Sequence, residues 1–295
     1  MDRGSLVGSP QRQSGVRISI IGCGWLGTAL AGVWQARGQH ELLVTTTRPE
    51  RLAELQALGL QARLLRGGDT AAMADALAEA EVVVLTLAPG GDRQVDADAY
   101  ASTYLPTCRS LLELLPQLPL LRQIIYTSSC GVYGDAGGDW IDESTPPQPR
   151  DDHAAVLLQT EALLGQTAQP VALLRLGALH GPGRELAPRL ARLAGSRRPG
   201  DGSTWSNWIH RDDAVAAIDR VLESGFSGTL NVVDGQPVTL RQLMDRVCSS
   251  QGLEPVQWTG GSEQTPAANR RIRNTGLLAL GVPKPRNVAG PTAQA

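Results

Sequence analysis

Lysine is almost missing from this chain. Of 27 basic side chains in 295 residues, one is a lysine, Lys284, and the rest are arginines. A P-loop needs a lysine directly behind its glycines, so that phosphate-binding class is excluded. A Schiff-base enzyme would need Lys284 folded back into a site from near the C-terminus. Long apolar runs are missing as well, and none approaches the roughly 18 residues of a membrane helix. The first 15 residues are polar, without the apolar centre of a signal peptide. The cysteines (Cys23, Cys108, Cys130 and Cys248) stand far apart with no C-x-x-C spacing, which predicts a reduced, cytoplasmic protein. Basic residues do not cluster and the net charge is −2, so nucleic acid is not expected as a partner. No histidine and carboxylate pair has metal-ligand spacing, and no metal is expected. What remains is 42% hydrophobic and 19% charged, enough apolar material for a sizeable core.

Strand and helix patterns alternate over the first two thirds of the chain. Residues 16–21 are apolar and β-branched, as in a buried parallel strand. They run through glycines into a helix over 25–37, where Leu26, Leu30, Val33 and Trp34 recur at helical spacing. Strands are expected at 41–46, 61–65, 81–87, 122–127 and 171–176. Helices are expected at 49–58, 70–79, 95–115 and 151–166, the third of these kinked or broken at Pro106. This rhythm predicts an α/β fold of Rossmann type, a doubly wound parallel sheet covered on both faces. After Leu176 the segments shorten and Gly, Pro and Arg become frequent. The expected organisation is a tail at 1–15, a Rossmann domain at 16–176, a small C-terminal substrate-side region at 177–285, and a tail at 286–295. Within the third part, a helix at 212–223 and a strand at 229–233 return to the Rossmann core, and a further helix covers 240–251.

Gly22-Cys23-Gly24-Trp25-Leu26-Gly27 reads G-x-G-x-x-G between the first strand and the first helix. Gly22 permits the tight turn, Gly24 lets backbone approach a pyrophosphate, and Gly27 lets helix pack closely on strand. The helix N-terminus then presents N–H groups to the phosphates. At the end of the second strand stands Thr45-Thr46-Thr47-Arg48, with no carboxylate for a ribose 2′-hydroxyl. Hydroxyls and a guanidinium suit a 2′-phosphate, so NADP(H) is preferred and NAD(H) stays admissible.

Ser128-Ser129-Cys130-Gly131-Val132-Tyr133-Gly134 resembles the S-S-x-x-V-Y-G of extended short-chain dehydrogenases/reductases, the NAD-dependent epimerase/dehydratase family. So do, in order, 140–146 (WIDESTP), 174–184 (LRLGALHGPGR), 207–214 (NWIHRDDA) and 230–234 (LNVVD). The similarity spans roughly residues 16–285. It implies a serine, a tyrosine as general acid/base, and a lysine that holds the nicotinamide ribose and lowers the tyrosine pKa from about 10. Ser129 takes the serine position. Counting back from Glu161 puts His153 where the tyrosine is expected and Leu157 where the lysine is expected. The chain therefore resembles an atypical member that lacks Tyr-x-x-x-Lys.

The candidate catalytic residues are Ser129, Tyr133 and His153. Each has a structural alternative: Ser129 tying down the strand end, Tyr133 packing, and His153 facing solvent beside Asp151 and Asp152. An imidazole exchanges protons near neutral pH without help from a lysine. His180, where the family commonly has tyrosine, either contacts ligand or fills its turn. Arg184, Arg189, Arg192, Arg197 and Arg198 either meet substrate phosphates or form a solvated face. The cofactor-binding set is Gly22, Gly24, Trp25, Leu26 and Gly27, with Thr46 and Arg48, Leu87 and Ala88, and Leu179. A small-molecule substrate is expected, and a homodimer through the helices at 95–115 and 151–166 is open. Two functions remain: an oxidoreductase or epimerase-like enzyme on a hydroxy, carbonyl or sugar-derived compound, or a non-catalytic NADP(H) sensor or scaffold.

Overall fold

A computed structural model describes residues 15–90, 96–260 and 268–288. Most of both expected tails, and Val95 at the expected start of the fourth helix, lie outside the described residues.

Seven parallel strands form the central sheet: β1 (Arg17–Ile21), β2 (Glu41–Thr46), β3 (Gln61–Leu64), β4 (Val82–Leu85), β5 (Gln123–Ser129), β6 (Val171–Leu176) and β7 (Gly228–Val232). Their order is β7-β6-β5-β4-β1-β2-β3. The order reverses between β1 and β4, where an open α/β sheet leaves a crevice at the carboxyl ends of its strands. The Rossmann expectation is met. The central strands are apolar on both sides because helices cover both faces: Val82, Val83, Val84 and Leu85 are all fully buried.

On one face lie α1 (Trp25–Arg37), α2 (Pro49–Ala57) and α7 (Arg211–Ser224). Leu30, Trp34, Leu55, Ile218 and Val221 pack there against Ile18, Ile20 and Val84. Trp34 Nε1 and the Arg37 guanidinium both donate to the Asp219 carboxylate, at 2.8 and 2.6 Å, locking α1 to α7. On the other face lie α3 (Thr70–Leu77), α4 (Ala97–Leu114) and α5 (Asp152–Leu164). These bury Met73, Leu77, Cys108, Leu111 and Leu157 with Tyr126 of β5.

A third, smaller core joins α6 (Leu186–Ala191) to α8 (Leu240–Gln251) through Leu190, Trp208, Leu243 and Met244. Thr239 and Gln242 start α8 with a reciprocal capping box. The last helix, α9 (Thr275–Ala279), leans on β7.

Of the expected kink or break at Pro106, the break does not occur: α4 runs from Ala97 to Leu114 with the proline inside it. Proline removes one backbone donor, but Tyr104, Thr107, Cys108 and Leu111 are buried on both sides of it. Packing against the sheet holds the helix where local propensity would end it. β5 is longer than the expected 122–127, and carries Ser128 and Ser129 to the sheet's carboxyl end. All four cysteines are buried and free. Among the described residues no helix is long and apolar enough to cross a membrane.

Candidate active site

The glycine loop sits over the end of β4. Gly22 has φ +83°, a conformation open to glycine, and a Cβ there would lie 3.0 Å from Leu87 Cδ2 and 3.2 Å from the Thr86 carbonyl. Its N–H donates to Thr45 Oγ1 (3.1 Å), and its carbonyl accepts from Thr86 Oγ1 (3.0 Å). Threonines ending β2 and β4 thus shape the turn, and neither stood in the cofactor set read from sequence. A Cβ on Gly27 would come within 2.6 Å of that same Thr86 Oγ1. Gly24 differs, because the sole neighbour its Cβ would meet within 4 Å is the Gly22 carbonyl at 3.9 Å. No side chain caps the N-terminus of α1. Free helical N–H groups beneath an open glycine are what a dinucleotide pyrophosphate needs, so these residues fit such a cofactor.

Leu26 is buried in the core below the loop, and Leu179 packs against that core. Trp25 stays at the surface of the cleft. Its Nε1 donates to the Pro182 carbonyl (2.9 Å), and the Arg184 and Arg211 guanidiniums stack on its ring at 4.8 and 5.2 Å. Arg184 therefore belongs to the cofactor loop's surroundings, whereas Arg189 lies over Trp208 at 5.7 Å. Thr46 Oγ1 accepts from the Arg48 N–H (3.3 Å). The Arg48 side chain is 58% exposed, 3.9 Å from Glu50 Oε1. Arg51, from α2, donates to Thr28 Oγ1 of α1 (2.7 Å) and pairs with Glu54 of its own helix. Ala88, just beyond β4, is exposed.

Tyr133 lies in a short helical turn, Cys130–Tyr133, directly after β5. Its hydroxyl donates to Asn231 Oδ1 (2.7 Å) and its ring lies 4.6 Å beneath the Arg175 guanidinium. Burial pushes this phenol up to about 12. Arg175 in turn forms a two-pronged ion pair with Glu161 (3.1 and 2.7 Å), whose Oε1 also accepts from Ser128 Oγ (2.6 Å). The phenol is thus part of a closed polar network beneath the cleft. Ser129 Oγ caps the turn by accepting from the Gly131 N–H (3.0 Å).

His153 opens α5. Its Nδ1 lies 3.0 Å from Asp151 Oδ1, and its side chain is 30% exposed. A Cβ on Gly131 would lie 3.2 Å from Ser129 Oγ and 3.8 Å from Ala154 Cβ, so the serine's turn abuts the first turn of α5. Leu157, where counting from Glu161 leads one to expect the family's lysine, is buried in the same apolar core as Tyr126.

His180 sits apart from His153, in a strand pair with Trp208–His210, its ring 5.1 Å from that of His210. Burial, reinforced by His210, lowers its pKa to about 4, so it is neutral near pH 7. At the start of α7 the cap is His210 Nδ1, accepting from the Asp212 N–H (3.2 Å). Asp212 and Asp213 instead engage Arg211 and Arg286.

A parallel sheet with this strand order and an open glycine loop at its switch point defines a dinucleotide-binding α/β protein. Residues 18–233 match the NAD dependent epimerase/dehydratase family, and the chain belongs to that family. It is 30% identical over 250 residues to protein YeeZ of Escherichia coli, covering 82% of this chain and 86% of that one. It is 26% identical over 254 residues to a 3-diazoavenalumate denitrifying reductase from a Streptomyces species, covering 81% and 83% of the two chains. The structure of the Bordetella bronchiseptica enzyme WbmG in complex with NAD and UDP superposes with a TM-score of 0.75 at 22% identity, over 93% of this chain and 91% of that one.

Proposed function

We propose that this chain is an NADP(H)-dependent oxidoreductase or epimerase-like enzyme acting on a small hydroxy, carbonyl or sugar-derived compound. The observation that carries the cofactor choice is the end of β2, where two threonines lead to the exposed guanidinium of Arg48 and the strand itself ends without a carboxylate; Glu50, on α2, lies 3.9 Å from that guanidinium. A 2′-phosphate gains charge-assisted hydrogen bonds there. The reductase among its relatives and the NAD and UDP held by WbmG support hydride chemistry and a sugar-nucleotide class of substrate.

When bound, the nicotinamide supplies or accepts the hydride. Gly22, Gly24 and Gly27 shape the pyrophosphate cradle, with Trp25 and Leu26 supplying α1 N–H groups. Leu87, Ala88 and Leu179 line the approach to it. Ser129 keeps its own hydroxyl proton for a substrate oxygen while its lone pair caps the turn. His153 is the group that exchanges a proton with that oxygen. Tyr133, committed to Asn231 and lying under Arg175, holds the end of β5 in place. A homodimer through the outer faces of α4 and α5, and a reduced cytoplasmic setting, belong to the same reading.

Arg48→Ala tests the cofactor choice. NADPH affinity falls about tenfold, as expected for one phosphate-paired guanidinium, while NADH affinity stays unchanged. Calorimetric titration of both cofactors reads the difference, and an unchanged NADPH affinity rejects the assignment.

A further inference from the structure

The lysine that normally tunes this family's tyrosine has no counterpart at position 157, where a buried leucine stands. The first turn of α5 is nevertheless built around His153. Asp151 is the N-cap of α5, and its Oδ1 accepts from the Ala154 N–H (2.8 Å). The same oxygen lies 3.0 Å from His153 Nδ1. Nε2 has no hydrogen-bond partner among the described residues. A carboxylate on Nδ1 holds the proton at that nitrogen and leaves Nε2 as the atom that gives and takes protons.

A second element seats the ring. Tyr100 of α4 lies 5.3 Å from the imidazole, tilted by 47°. On its other side it stacks on Tyr104, at 5.4 Å with planes 9° apart. The Tyr104 hydroxyl donates to the Leu87 carbonyl (2.7 Å), in the segment that packs against Gly22. Asp151, His153, Tyr100, Tyr104 and Leu87 thus form one continuous run of contacts from the start of α5 to the cofactor loop.

We propose that Asp151 fixes the Nε2-bare tautomer of His153 and that the Tyr100–Tyr104 stack ties that imidazole to the segment after β4, the arrangement standing in for the missing tyrosine–lysine pair. This rests on the oxidoreductase reading and assigns its proton path. In reduction, the substrate carbonyl carbon receives the hydride from NADPH and its oxygen receives the proton from Nε2 of protonated His153. The products are the alcohol, NADP⁺ and a neutral His153, which regains its proton from water. Oxidation runs the same path backwards. Asp151 and Tyr100 are positioning residues that touch neither substrate nor cofactor.

The test reads the imidazole nitrogens directly. The chain has four histidines, so ¹⁵N-histidine labelling, with His153→Gln to assign the signal, resolves His153 in the cofactor-free protein. At a pH where the ring is neutral, the expected state is Nδ1 protonated and Nε2 bare. Asp151→Ser keeps an N-cap oxygen but removes the carboxylate. The Nε2–H tautomer then predominates, and kcat falls roughly 100-fold with the KM for NADPH unchanged. Tyr100→Ala lowers kcat in the same way, and Tyr100→Phe, which keeps the stack, restores it. An Nε2–H tautomer in the wild-type protein overturns the proposal, as does an Asp151→Ser protein with tautomer and kcat both unchanged. If the tautomer is as expected and no substrate is turned over, the enzyme reading fails while the Asp151–His153 arrangement stands.

Discussion

Gly24→Ala is expected to fold, at some cost for placing a side chain on backbone at φ −86°, ψ −145°, and to lose about 100-fold in NADPH affinity, equivalent to roughly 2.7 kcal/mol. A methyl group there meets no protein atom closer than the Gly22 carbonyl at 3.9 Å, so the fold has room for it. It stands where a pyrophosphate would approach the backbone, above the uncapped N-terminus of α1. Gly27→Ala should behave differently. Its methyl meets Thr86 Oγ1 at 2.6 Å, and moving that hydroxyl breaks its bond to the Gly22 carbonyl. Gly27→Ala therefore loses stability and affinity together. Thermal melts alongside calorimetric titration separate the two variants. Equal NADPH affinity in Gly24→Ala and wild type would remove the loop from the cofactor site.

The second large effect lies under the cleft. Arg175→Ala should cost about 3–5 kcal/mol, the usual result of stranding one member of a buried ion pair. The side chains of Glu161 and Arg175 are 3% and 6% exposed. With the guanidinium gone, the Glu161 carboxylate keeps only the Ser128 hydroxyl, and Tyr133 loses the cation over its ring. For a chain of this length the melting temperature falls on the order of 10 °C. The double variant Glu161→Gln/Arg175→Met leaves no unpaired charge and should recover most of the loss. Additive losses in the double variant would contradict coupling between the two side chains.

The nucleotide half of the molecule was legible in the sequence for a physical reason. A parallel strand buried on both faces is a continuous apolar run, and the turn that follows β1 admits little but glycine at Gly22. Even so, nothing in the sequence says that Thr45 and Thr86 hold that turn, because a threonine near the end of a strand looks like any other. Pro106 left a break open for the opposite reason: its local cost is plain in the sequence, while the burial of Tyr104 and Cys108 that keeps the helix continuous is not. The proposed proton-transfer side was legible only as an expected absence. The chain's one lysine, Lys284, cannot stand at position 157, and counting from Glu161 brought His153 forward. That Asp151 would approach its Nδ1 and Tyr100 its face depends on how α4 packs on α5, and spacing within either helix does not encode this. Tyr133 stood out by its motif, yet its hydroxyl is taken by Asn231, 98 positions away in the chain.

The most direct test of the central claim is consumption of NADPH, followed at 340 nm, with a panel of aldehydes, ketones and nucleotide sugars. A companion assay should follow epimerisation of the same sugars by chromatography. Wild-type protein is expected to turn over at least one compound well above background, and His153→Gln to lose roughly 100-fold or more in kcat while still binding NADPH. Tight NADPH binding with no turnover or epimerisation across the panel would contradict the account and leave a dinucleotide-binding sensor or scaffold in place of an enzyme.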